Sequence, residues 1–507
     1  MSKTLSLCMI AKNEALNLPR CLSSVNEVID EIVIADTGSD DETVELAKSY
    51  NARVFQFEWT NDFSAARNYA LSKCTGDLIL YLDADESLDP SSINELLNIK
   101  KSGETAGYYC TVKSFDNDSS YDNTMRYVRL FPRIERIAFS GKVHEQIVPS
   151  LKENNITIRQ SKILINHFGY NVSAELKKLK AARNLRLLLD EYEKSSSPYY
   201  AFQLGNTYNI LDDDLNAEKF YKIAGGSSEL EKTHRAQCYT FLALINHKNF
   251  KGELAERNIK LSLQLDSQQP FSYLAAAKIL LRNGDMAAAE EKCKLAFLLN
   301  QKLKNGGENS ISIILNSEEI IYFGLMLAVN TKNEKYLKFY KDELFNYYNS
   351  LYGKEINYTK VINKLFANSA MNIQEVNDLY KITNKYNLTF FLQLLSQNPN
   401  NNQVIEVVKR FRQDHPSNVE VAKNLAKLYE EAGEILEPIE ILEEALSNFE
   451  NDPAIYLYLI TLYLKKGDFD KISKILNEVE VRFSGISAVT ERLKSIKKLL
   501  ASVLKLT

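Results

Sequence analysis

Two carboxylates that lie one residue apart, Asp83 and Asp85, are the side chains of this sequence with the clearest chemical use. They follow the apolar run 79–82, which has the length typical of a buried strand, so both would lie near that strand's C-terminal end. Ligands bind at this end of the strands in an open α/β sheet. Two carboxylates at this spacing suit Mg²⁺ or Mn²⁺, hard cations that keep several waters and also bind substrate phosphates. An Asp-x-Asp triplet also occurs in ordinary surface loops, so its context decides between the two interpretations.

The segments around these acids alternate between candidate strands and helices, which predicts an α/β domain with a parallel sheet covered by helices on both faces. The turn 37–43 leads into a helix for which Asp40 or Asp41 is the candidate N-cap. Asp36 ends the strand before that turn, so it would converge with the two later acids at one edge of the sheet. The candidate strands lie within 5–14, 31–36, 52–57 and 79–86, and the candidate helices within 15–25 and 63–74.

Several segments, in order along the chain, resemble the motif series of family 2 glycosyltransferases with the GT-A fold. The resemblance is closest to a subgroup that includes the sublancin-type peptide S-glycosyltransferases. It covers about residues 4–185 and implies an α/β GT-A domain with a Rossmann-like mixed sheet. The matching segments are Asn13-Glu14, residues 36–43, 59–68 and 82–85, and, for the subgroup, residues 141–145 and 167–170.

The resemblance implies that the sheet edge binds a UDP-sugar, either UDP-glucose or UDP-N-acetylglucosamine. In this interpretation Asp36 accepts a hydrogen bond from the uracil, Asp85 binds Mg²⁺ or Mn²⁺ at the diphosphate, and Asp83 holds the ribose or assists the metal. The metal acts as a Lewis acid on the departing UDP. Arg67 pairs with a phosphate or holds the region of Asp36, unless it is an ordinary surface residue of a helix. The residues expected to bind the nucleotide sugar are Asn13, Glu14, Asp36, Arg67, Asp83 and Arg129.

Two of the five histidines lie in these segments and have a chemical interpretation. His144 would coordinate the metal or position the acceptor, and Glu145 would act as general base on an acceptor hydroxyl or thiol. The expected catalytic residues are therefore His144, Glu145 and Asp83, although a structural hydrogen-bonding pair would also explain the first two. His167 would be a third metal ligand beside Asp85 and Asp83, a phosphate contact, or a buried structural residue. The other three histidines lie in helical segments and are expected to be structural or exposed.

Two groups of basic residues have both an electrostatic and an ordinary structural interpretation. The first group would stabilise the leaving diphosphate or protect an exposed sheet edge from aggregation. The second recurs at helical spacing and would face the nucleotide or, as we favour, the solvent. The groups are Arg126, Arg129 and Arg133, within and at both ends of the candidate strand 127–132, and Lys177, Lys180 and Arg183 on the candidate helix 173–193.

After residue 198 strand signals disappear, and helical pairs joined by short polar turns take over. Gly433 and Gly467 are 34 residues apart, and small and aromatic residues recur at matching offsets around them. This period predicts tetratricopeptide-like repeats, with a degenerate unit at 234–267 and a loop at 302–311. The predicted organisation is a GT-A domain at 1–195, repeats at 196–485 that are irregular at 298–402, and a C-terminal helix at 486–507 that caps the array or forms a dimer contact.

Composition adds limits on partners and compartment. The net charge of −4 gives no case for a nucleic-acid partner, and no apolar stretch reaches the length that spans a membrane. The first candidate strand begins within the first six residues, which predicts no signal sequence. The six cysteines show neither CxxC spacing nor a disulfide framework, so we expect reduced thiols in a cytoplasmic protein.

The family resemblance implies a metal-dependent transferase that moves a hexose from a UDP-sugar, and the subgroup resemblance and the repeats favour as acceptor a Cys, Ser or Thr side chain of a bacteriocin-type peptide. The family resemblance implies inversion at the sugar carbon by a single displacement. The alternatives are transfer to a cell-surface glycan or a lipid-linked saccharide, and a repeat scaffold whose transferase domain has lost activity. The intact acids and His144 argue against the scaffold, and the concave surface of a repeat array favours a peptide. A homodimer remains open.

Overall fold

We describe the protein from a computed structural model of the 507-residue chain. The chain divides into two compact units, Met1–Ile320 and Ile321–Thr507. Most of the predicted loop 302–311 lies outside the described residues, and so does Tyr170. The described residues are 2–114, 124–169, 174–304, 313–352, 358–367, 369–395, 401–416, 418–447, 452–484 and 487–503.

The first unit contains an eight-stranded mixed sheet, which confirms the predicted α/β class. The strands are β1 Leu5–Ala11, β2 Glu31–Asp36, β3 Arg53–Gln56, β4 Leu78–Tyr81, β5 Glu86–Leu88, β6 Gly107–Ser114, β7 Thr124–Pro132 and β8 Ile158–His167. Their order across the sheet is β3-β2-β1-β4-β7-β6-β8-β5. The first four strands pair in parallel, whereas β7 is antiparallel to β4 and β6, and β5 is antiparallel to β8. The mixed sheet implied by the family resemblance is therefore confirmed, and the parallel pairing expected from the alternation of strands and helices holds for β1 to β4 and for β6 with β8. The predicted strand 79–86 is in fact two strands.

Helices cover both faces of this sheet, as predicted, because alternate side chains of each strand point to opposite sides. Leu5 and Leu7 of β1 enter one hydrophobic core with α1, α2 and α4. Cys8, the residue after Leu7, points to the other face of the sheet and enters the opposite core with α3 and α5. The helices of this part are α1 Leu18–Val25, α2 Thr43–Ser49, α3 Phe63–Lys73, α4 Ile93–Ser102, α5 Val148–Glu153 and α6 Ala174–Ser195.

The pairing register brings the ends of three strands to one edge of the sheet. Ala11 pairs with Asp36 at the ends of β1 and β2, and Tyr81 at the end of β4 pairs with Cys8 of β1. Neighbouring strands are about 4.8 Å apart, so the ends of β2 and β4 lie roughly 10 Å from each other across β1. Asp36 and the segment 82–85 therefore lie at the same edge, as predicted.

The predicted cap of α2 is wrong in detail. The helix begins at Thr43, so its N-cap position is Glu42 and neither Asp40 nor Asp41. Asp41 lies one residue before the N-cap position. Its carboxylate accepts the Thr43 backbone N–H at 3.0 Å and the Ala15 N–H at 3.1 Å. This side chain thereby fastens the turn after β2 to the turn after β1.

From Pro198 onward the described residues form helices and no strand, as predicted. Ala426 and Leu442 lie in one hydrophobic core with Ile460 and Leu476, the residues 34 positions later in the chain, as the predicted period requires. The helices are α7 Pro198–Ile210, α8 Asp214–Gly226, α9 Lys232–Lys248, α10 Gly252–Leu265, α11 Pro270–Arg282, α12 Met286–Lys304, α13 Ser317–Thr331, α14 Glu334–Tyr352, α15 Tyr358–Phe366, α16 Ile373–Ile382, α17 Leu388–Leu395, α18 Asn401–Asp414, α19 Val419–Glu431, α20 Leu436–Leu446, α21 Pro453–Lys466, α22 Phe469–Arg482 and α23 Ser487–Val503.

Two details of the helical region bear on the sequence predictions. Helix α12 continues to Lys304, so the loop predicted from residue 302 does not begin there. Helix α6 ends at Ser195 and α23 begins at Ser487, next to the predicted domain limits, which stay predictions. All six cysteines are buried and none forms a disulfide bond. None of the helices in the described ranges has the length and apolar character needed to cross a membrane.

Candidate functional site

The turn after β2 forms one side of the candidate site. The Asp36 carboxylate belongs to a residue that is 1% exposed, and it accepts the Gly38 and Ser39 backbone N–H groups at 3.2 and 3.1 Å. Asn13, with a φ of 56°, donates its N–H to Ser39 Oγ and accepts the Asp40 N–H, both at 2.9 Å. Asn adopts this left-handed conformation more readily than most residues. Two predicted nucleotide-binding residues therefore build one turn, and Asp36 uses part of its acceptor capacity within it.

Glu14 lies between this turn and the acids that follow β4. Its backbone N–H donates to Thr43 Oγ1 at 2.8 Å, and its side chain accepts a hydrogen bond from Asn17 at 2.9 Å. Burial raises the pKa of the Glu14 carboxyl above its ordinary value against the effect of that hydrogen bond, and the charges of Asp85 and Asp83 raise it further. Glu14 thus belongs to the same electrostatic cluster as the two aspartates.

Arg67 links Asp83, which is predicted to bind the nucleotide sugar, to Glu145, the predicted base. It lies on α3 and is only 6% exposed, so it is not the surface residue of the alternative interpretation. Its Nη2 donates to Asp83 Oδ1 at 2.7 Å, and its Nε donates to Glu145 Oε1. Burial alone would raise the pKa of Asp83, but the charges of Arg67 and Arg129 outweigh it and hold that pKa at about 2. Asp83 is therefore an ionised carboxylate held by arginines.

Arg129 and Glu86 form a second buried ion pair beside the first. Arg129 Nη2 donates to Glu86 Oε1 at 2.6 Å, and its Nη1 lies 3.8 Å from Asp83 Oδ2. Glu86 Oε2 accepts the Asp83 backbone N–H at 2.9 Å. Burial raises the pKa of the Glu86 carboxyl to about 7, against the charge of Arg129. The Tyr81 ring lies under this group, 4.4 Å from the Arg129 guanidinium carbon.

Sequence reasoning missed Glu86, although it directly follows the Asp-x-Asp triplet. The arginines of β7 also have surroundings that differ from the predicted ones. Strand β7 lies between β4 and β6, so it is an interior strand of the sheet and not an edge strand. The interpretation of its charges as protection of an exposed edge strand is therefore wrong. Arg126 instead donates to Gln160 at 3.1 Å, and Arg133 to the Gly76 carbonyl oxygen at 2.9 Å. Of these three arginines, Arg129 is the one that belongs to the site.

Asp85 and His167 meet on the other side of the triplet. His167 ends β8, and its Nε2 lies 3.5 Å from Asp85 Oδ2, while its Nδ1 lies 3.1 Å from Ser114 Oγ. A Cβ added to Gly169 would come within 1.9 Å of Asp85 Oδ2 and 2.7 Å of His167 Nε2. Only glycine therefore lets the backbone pass this close to Asp85 and His167, and we call the place where these three residues meet the Gly169 recess.

The donor set of the Gly169 recess fits a divalent cation only in part. Carboxylate and imidazole are suitable ligands, and Mg²⁺ in particular is often held by one or two protein groups together with substrate phosphates and waters. The predicted set of Asp85, Asp83 and His167 is not assembled, however. Among the residues that the structure describes, no three His, Cys, Asp or Glu side chains are placed to hold a metal. Asp83 is turned toward the two arginines, which accounts for its absence from the set.

The loop with the other predicted catalytic residues follows β7. His144 is exposed and has a φ of 51°, a conformation that is uncommon outside glycine. Its neighbour Glu145 is mostly buried and pairs with Arg67. The structure thus brings Glu145 into the arginine cluster, where Asp83 also lies, and leaves His144 facing solvent beside it.

The basic stripe of α6 has mixed surroundings. Lys180 is exposed, and its Nζ lies 3.4 Å from the Gly169 carbonyl oxygen. The Arg183 guanidinium lies over the Phe63 ring, 5.6 Å from its centre. Lys180 and Arg183 are both exposed, in agreement with the favoured solvent-facing interpretation, although the first reaches the recess and the second lies over the start of α3.

Comparisons with known proteins bear on this arrangement. Residues 6–161 match the family model described as glycosyl transferase family 2. A TPR repeat-containing protein of Synechococcus elongatus is 32% identical over 269 residues, which are 51% of this chain and 66% of that protein. The SPbeta prophage-derived glycosyltransferase SunS of Bacillus subtilis is 28% identical over 228 residues, which are 43% of this chain and 52% of that protein. This chain thus spans between about half and two thirds of the length of these relatives.

Among solved structures, a tetratricopeptide repeat protein from Parabacteroides merdae is similar to 59% of this chain over 98% of its own length. The sequence identity is 12% and the TM-score is 0.37, which is too low to carry an argument. The assignment of repeats therefore depends on the observed helix pairs and on the Synechococcus relative.

Proposed function

We propose that this chain, whose residues 6–161 form a family 2 glycosyl transferase domain followed by tetratricopeptide-like repeats, transfers a hexose from a UDP-sugar in a metal-dependent, inverting reaction. The proposed acceptor is a Cys, Ser or Thr side chain of a peptide. The observation that carries the proposal is the Gly169 recess, where Asp85 and His167 meet beside the arginine-bound Asp83.

The donor would lie along the edge formed by the ends of β2, β1 and β4. The turn built by Asn13 and Asp36 is the proposed uracil site, and the fixed Asp83 carboxylate is the proposed ribose contact. Asp85 and His167 would hold Mg²⁺ or Mn²⁺, with substrate phosphates and waters as the remaining ligands. When bound, the cation offsets the negative charge that develops on the diphosphate.

The acceptor would approach from the loop that carries His144 and Glu145. Arg67 engages Glu145 Oε1, so the second carboxylate oxygen is the atom proposed to take the proton of an acceptor hydroxyl. A thiol acceptor would depend less on this base, because a Cys is already partly thiolate near neutral pH. His144, exposed beside it, is proposed to orient the acceptor.

The peptide acceptor is supported by the family subgroup that the sequence resembles and by the helical repeats. Repeat arrays present extended surfaces to extended ligands. In this protein the side chains with a chemical interpretation belong to the transferase domain, whereas the repeats contribute apolar and aromatic positions. Such a division of labour suits recognition of a chain-like acceptor by the repeats.

A test begins with a screen of UDP-glucose and UDP-N-acetylglucosamine for hydrolysis in Mg²⁺, in Mn²⁺ and in EDTA. Transfer to candidate Cys-, Ser- and Thr-containing peptides is then followed by intact mass. We expect a metal-dependent mass increase of one hexose unit with UDP-glucose, or of one N-acetylhexosamine unit with UDP-N-acetylglucosamine. Full turnover in EDTA would exclude the metal, and transfer only to a glycan or lipid-linked acceptor would replace the peptide.

The base is tested with Glu145→Gln and with Glu153→Gln as its matched control, since Glu153 is an exposed acid at the end of α5. On a Ser or Thr peptide, Glu145→Gln should lower kcat by about 10²-fold or more with little change in donor binding. The control should behave as the wild type. Equal kcat in the two variants would make the Arg67–Glu145 pair structural.

A further inference from the structure

We propose that helix α7 of the repeat region is a working part of the active site, because its residues Tyr199 and Tyr200 hold the loop that carries His144 and Glu145. This inference rests on the proposed function of that loop. It makes the two tyrosines positioning residues, which act on the reaction through Glu145 and not by touching the substrates.

One side of the loop is attached to the transferase domain. Ser140 and Gln146 close the loop with two backbone hydrogen bonds, of 3.0 and 2.9 Å. The Phe63 N–H at the start of α3 donates to the Lys142 carbonyl oxygen at 2.8 Å. The same helix supplies Arg67, which binds Glu145. Helix α3 thus fixes both the backbone of the loop and the side chain of its proposed base.

The other side of the loop is attached to α7. Gln146 Nε2 donates to the Tyr199 hydroxyl at 2.7 Å. Gly141 has a φ of 94°, and a Cβ at this position would come within 2.7 Å of the Tyr200 hydroxyl. Val143 is buried in the same hydrophobic cluster as Ala201 and Phe202. Both ends of the loop and its middle therefore contact the first repeat helix.

The conformation of His144 explains why such support would matter. A non-glycine residue with a φ of 51° carries a steric penalty of about 1–2 kcal/mol, and such strain persists only where surrounding contacts enforce it. The contacts that flank His144 are those of Gln146 with Tyr199 and of Gly141 with Tyr200. Loss of this support would let the loop relax, and Glu145 would then leave its place between Arg67 and the acceptor.

The experiment compares Tyr199→Phe with Tyr208→Phe in the full chain. The first variant loses only the hydroxyl that accepts from Gln146. The second loses the hydroxyl of a tyrosine on the same helix whose ring stacks on Phe220. We expect Tyr199→Phe to lower kcat about tenfold, the equivalent of one hydrogen bond in free energy, with the KM for the UDP-sugar unchanged. Tyr208→Phe should keep wild-type kcat.

Amide hydrogen exchange of the peptide covering residues 140–147 gives a second readout that needs no turnover. Exchange in this peptide should become faster in Tyr199→Phe and stay at the wild-type rate in Tyr208→Phe. Unchanged exchange, or faster exchange with wild-type kcat, would overturn the positioning role. If the wild type itself turns over no UDP-sugar while exchange changes as expected, the proposed function fails and the attachment of the loop to α7 stands.

A double-mutant cycle separates positioning from general damage to the fold. Gln146→Leu removes the donor of the same hydrogen bond. Because one contact can be lost only once, the double variant Tyr199→Phe, Gln146→Leu should lose no more kcat than the stronger single variant. Fully additive losses would show that the two side chains act separately, which would contradict the inference.

Discussion

The left-handed backbone conformation, with positive φ, occurs both at the sheet edge that carries the candidate site and in the turns between the repeat helices. At the sheet edge, positive φ angles occur at Gly38 and Gly141, and also at Asn13 and His144, where a side chain is present despite the steric penalty. In the repeats they occur at Gly284, Gly433 and Gly467, where an added Cβ would meet no atom within 4 Å. Glycine takes this conformation freely. Both regions thus use glycine and other residues at positive φ, but Asn13 and His144 belong to the candidate site. We therefore expect the sheet edge to need these side chains for chemistry and the repeat turns to need only the shape.

Three further turns between repeat helices support this reading of the repeats. Asp212, Phe250 and Lys332 have φ angles of 59°, 59° and 55°. Like the glycines, each stands one or two residues after the end of a helix. The unit 234–267, which is degenerate in sequence, therefore contains the same turn with Phe250 in place of glycine. The backbone shape is common to the turns, and the residue type varies.

Buried charge separates the two regions as well. At the site, Arg129 and Glu86 are 7% and 1% exposed and pair with each other. The repeats bury neutral groups such as Thr240, Ser262 and Ser272, whose hydroxyls lie 2.8–3.0 Å apart, together with a smaller number of glutamates. Buried ion pairs add little net stability over an apolar core. Their concentration at the sheet edge is therefore better explained by substrate binding than by folding.

The largest expected effect on stability follows from removing one buried charge. Arg129→Met should lower the free energy of unfolding by about 3–5 kcal/mol, because Glu86 would stay buried without its partner. Arg126→Met on the same strand is the control, since Arg126 bonds to the neutral Gln160, and should cost less than about 1 kcal/mol. Urea titrations followed by the fluorescence of Trp59, the single tryptophan, report on this unit. Equal losses would remove the contrast between buried and surface charge.

The next effect is on turnover. Asp85→Asn should lower the rate of transfer on the order of 10²-fold or more, because metal assistance to a leaving group is worth several kcal/mol. The unfolding midpoint should change little, since the Asp85 side chain is 20% exposed and its carboxylate lies 3.5 Å from His167 Nε2. Mn²⁺ titration calorimetry on the wild type, on Asp85→Asn and on the control Glu153→Gln measures the cation directly. Undiminished Mn²⁺ affinity in Asp85→Asn would place the cation elsewhere.

The parts of this site that follow from local pattern were predictable from the sequence. Strand β2 has the predicted limits 31–36, and the convergence of Asp36 with the segment 82–85 follows from the geometry of parallel strands. The repeats follow from their period and buried positions in the same way. In each case a rule about neighbouring residues is sufficient.

The rest depends on contacts between residues far apart in the sequence. Glu86 is buried because Arg129 stands opposite it, 43 positions later, and no local pattern announces this pair. Asp83 turns to Arg67 and Arg129 for the same reason, so the predicted metal set could not be corrected from the sequence. Strand β5 has only three residues, Glu86–Leu88, which directly follow the Asp-x-Asp triplet, so it becomes visible only through its pairing with β8.

A smaller effect is expected at the glycine turns. Gly467→Ala should lower the free energy of unfolding by about 1–2 kcal/mol, because the φ of 81° is unfavourable for alanine although there is space for its Cβ. Gly226→Ala is the matched control, since Gly226 is also exposed and also has no atom within 4 Å of an added Cβ, but ends a helix. It should be neutral or slightly stabilising. Thermal unfolding of both variants measures the difference, and similar losses would show that φ is not the cause.

The smallest effect is the one that tests the comparison most directly. Lys332→Gly should raise the free energy of unfolding by up to about 1 kcal/mol, because relief of the left-handed strain exceeds the entropy that glycine adds to the unfolded chain. His144→Gly relieves the same strain at the sheet edge and should leave stability unchanged or slightly higher, yet it should lower turnover because the acceptor loses its proposed contact. Differential scanning calorimetry and peptide transfer assays on the two variants separate shape from chemistry. If His144→Gly keeps full activity, the sheet edge needs only the shape of that turn, and the distinction between the two regions fails at its central residue.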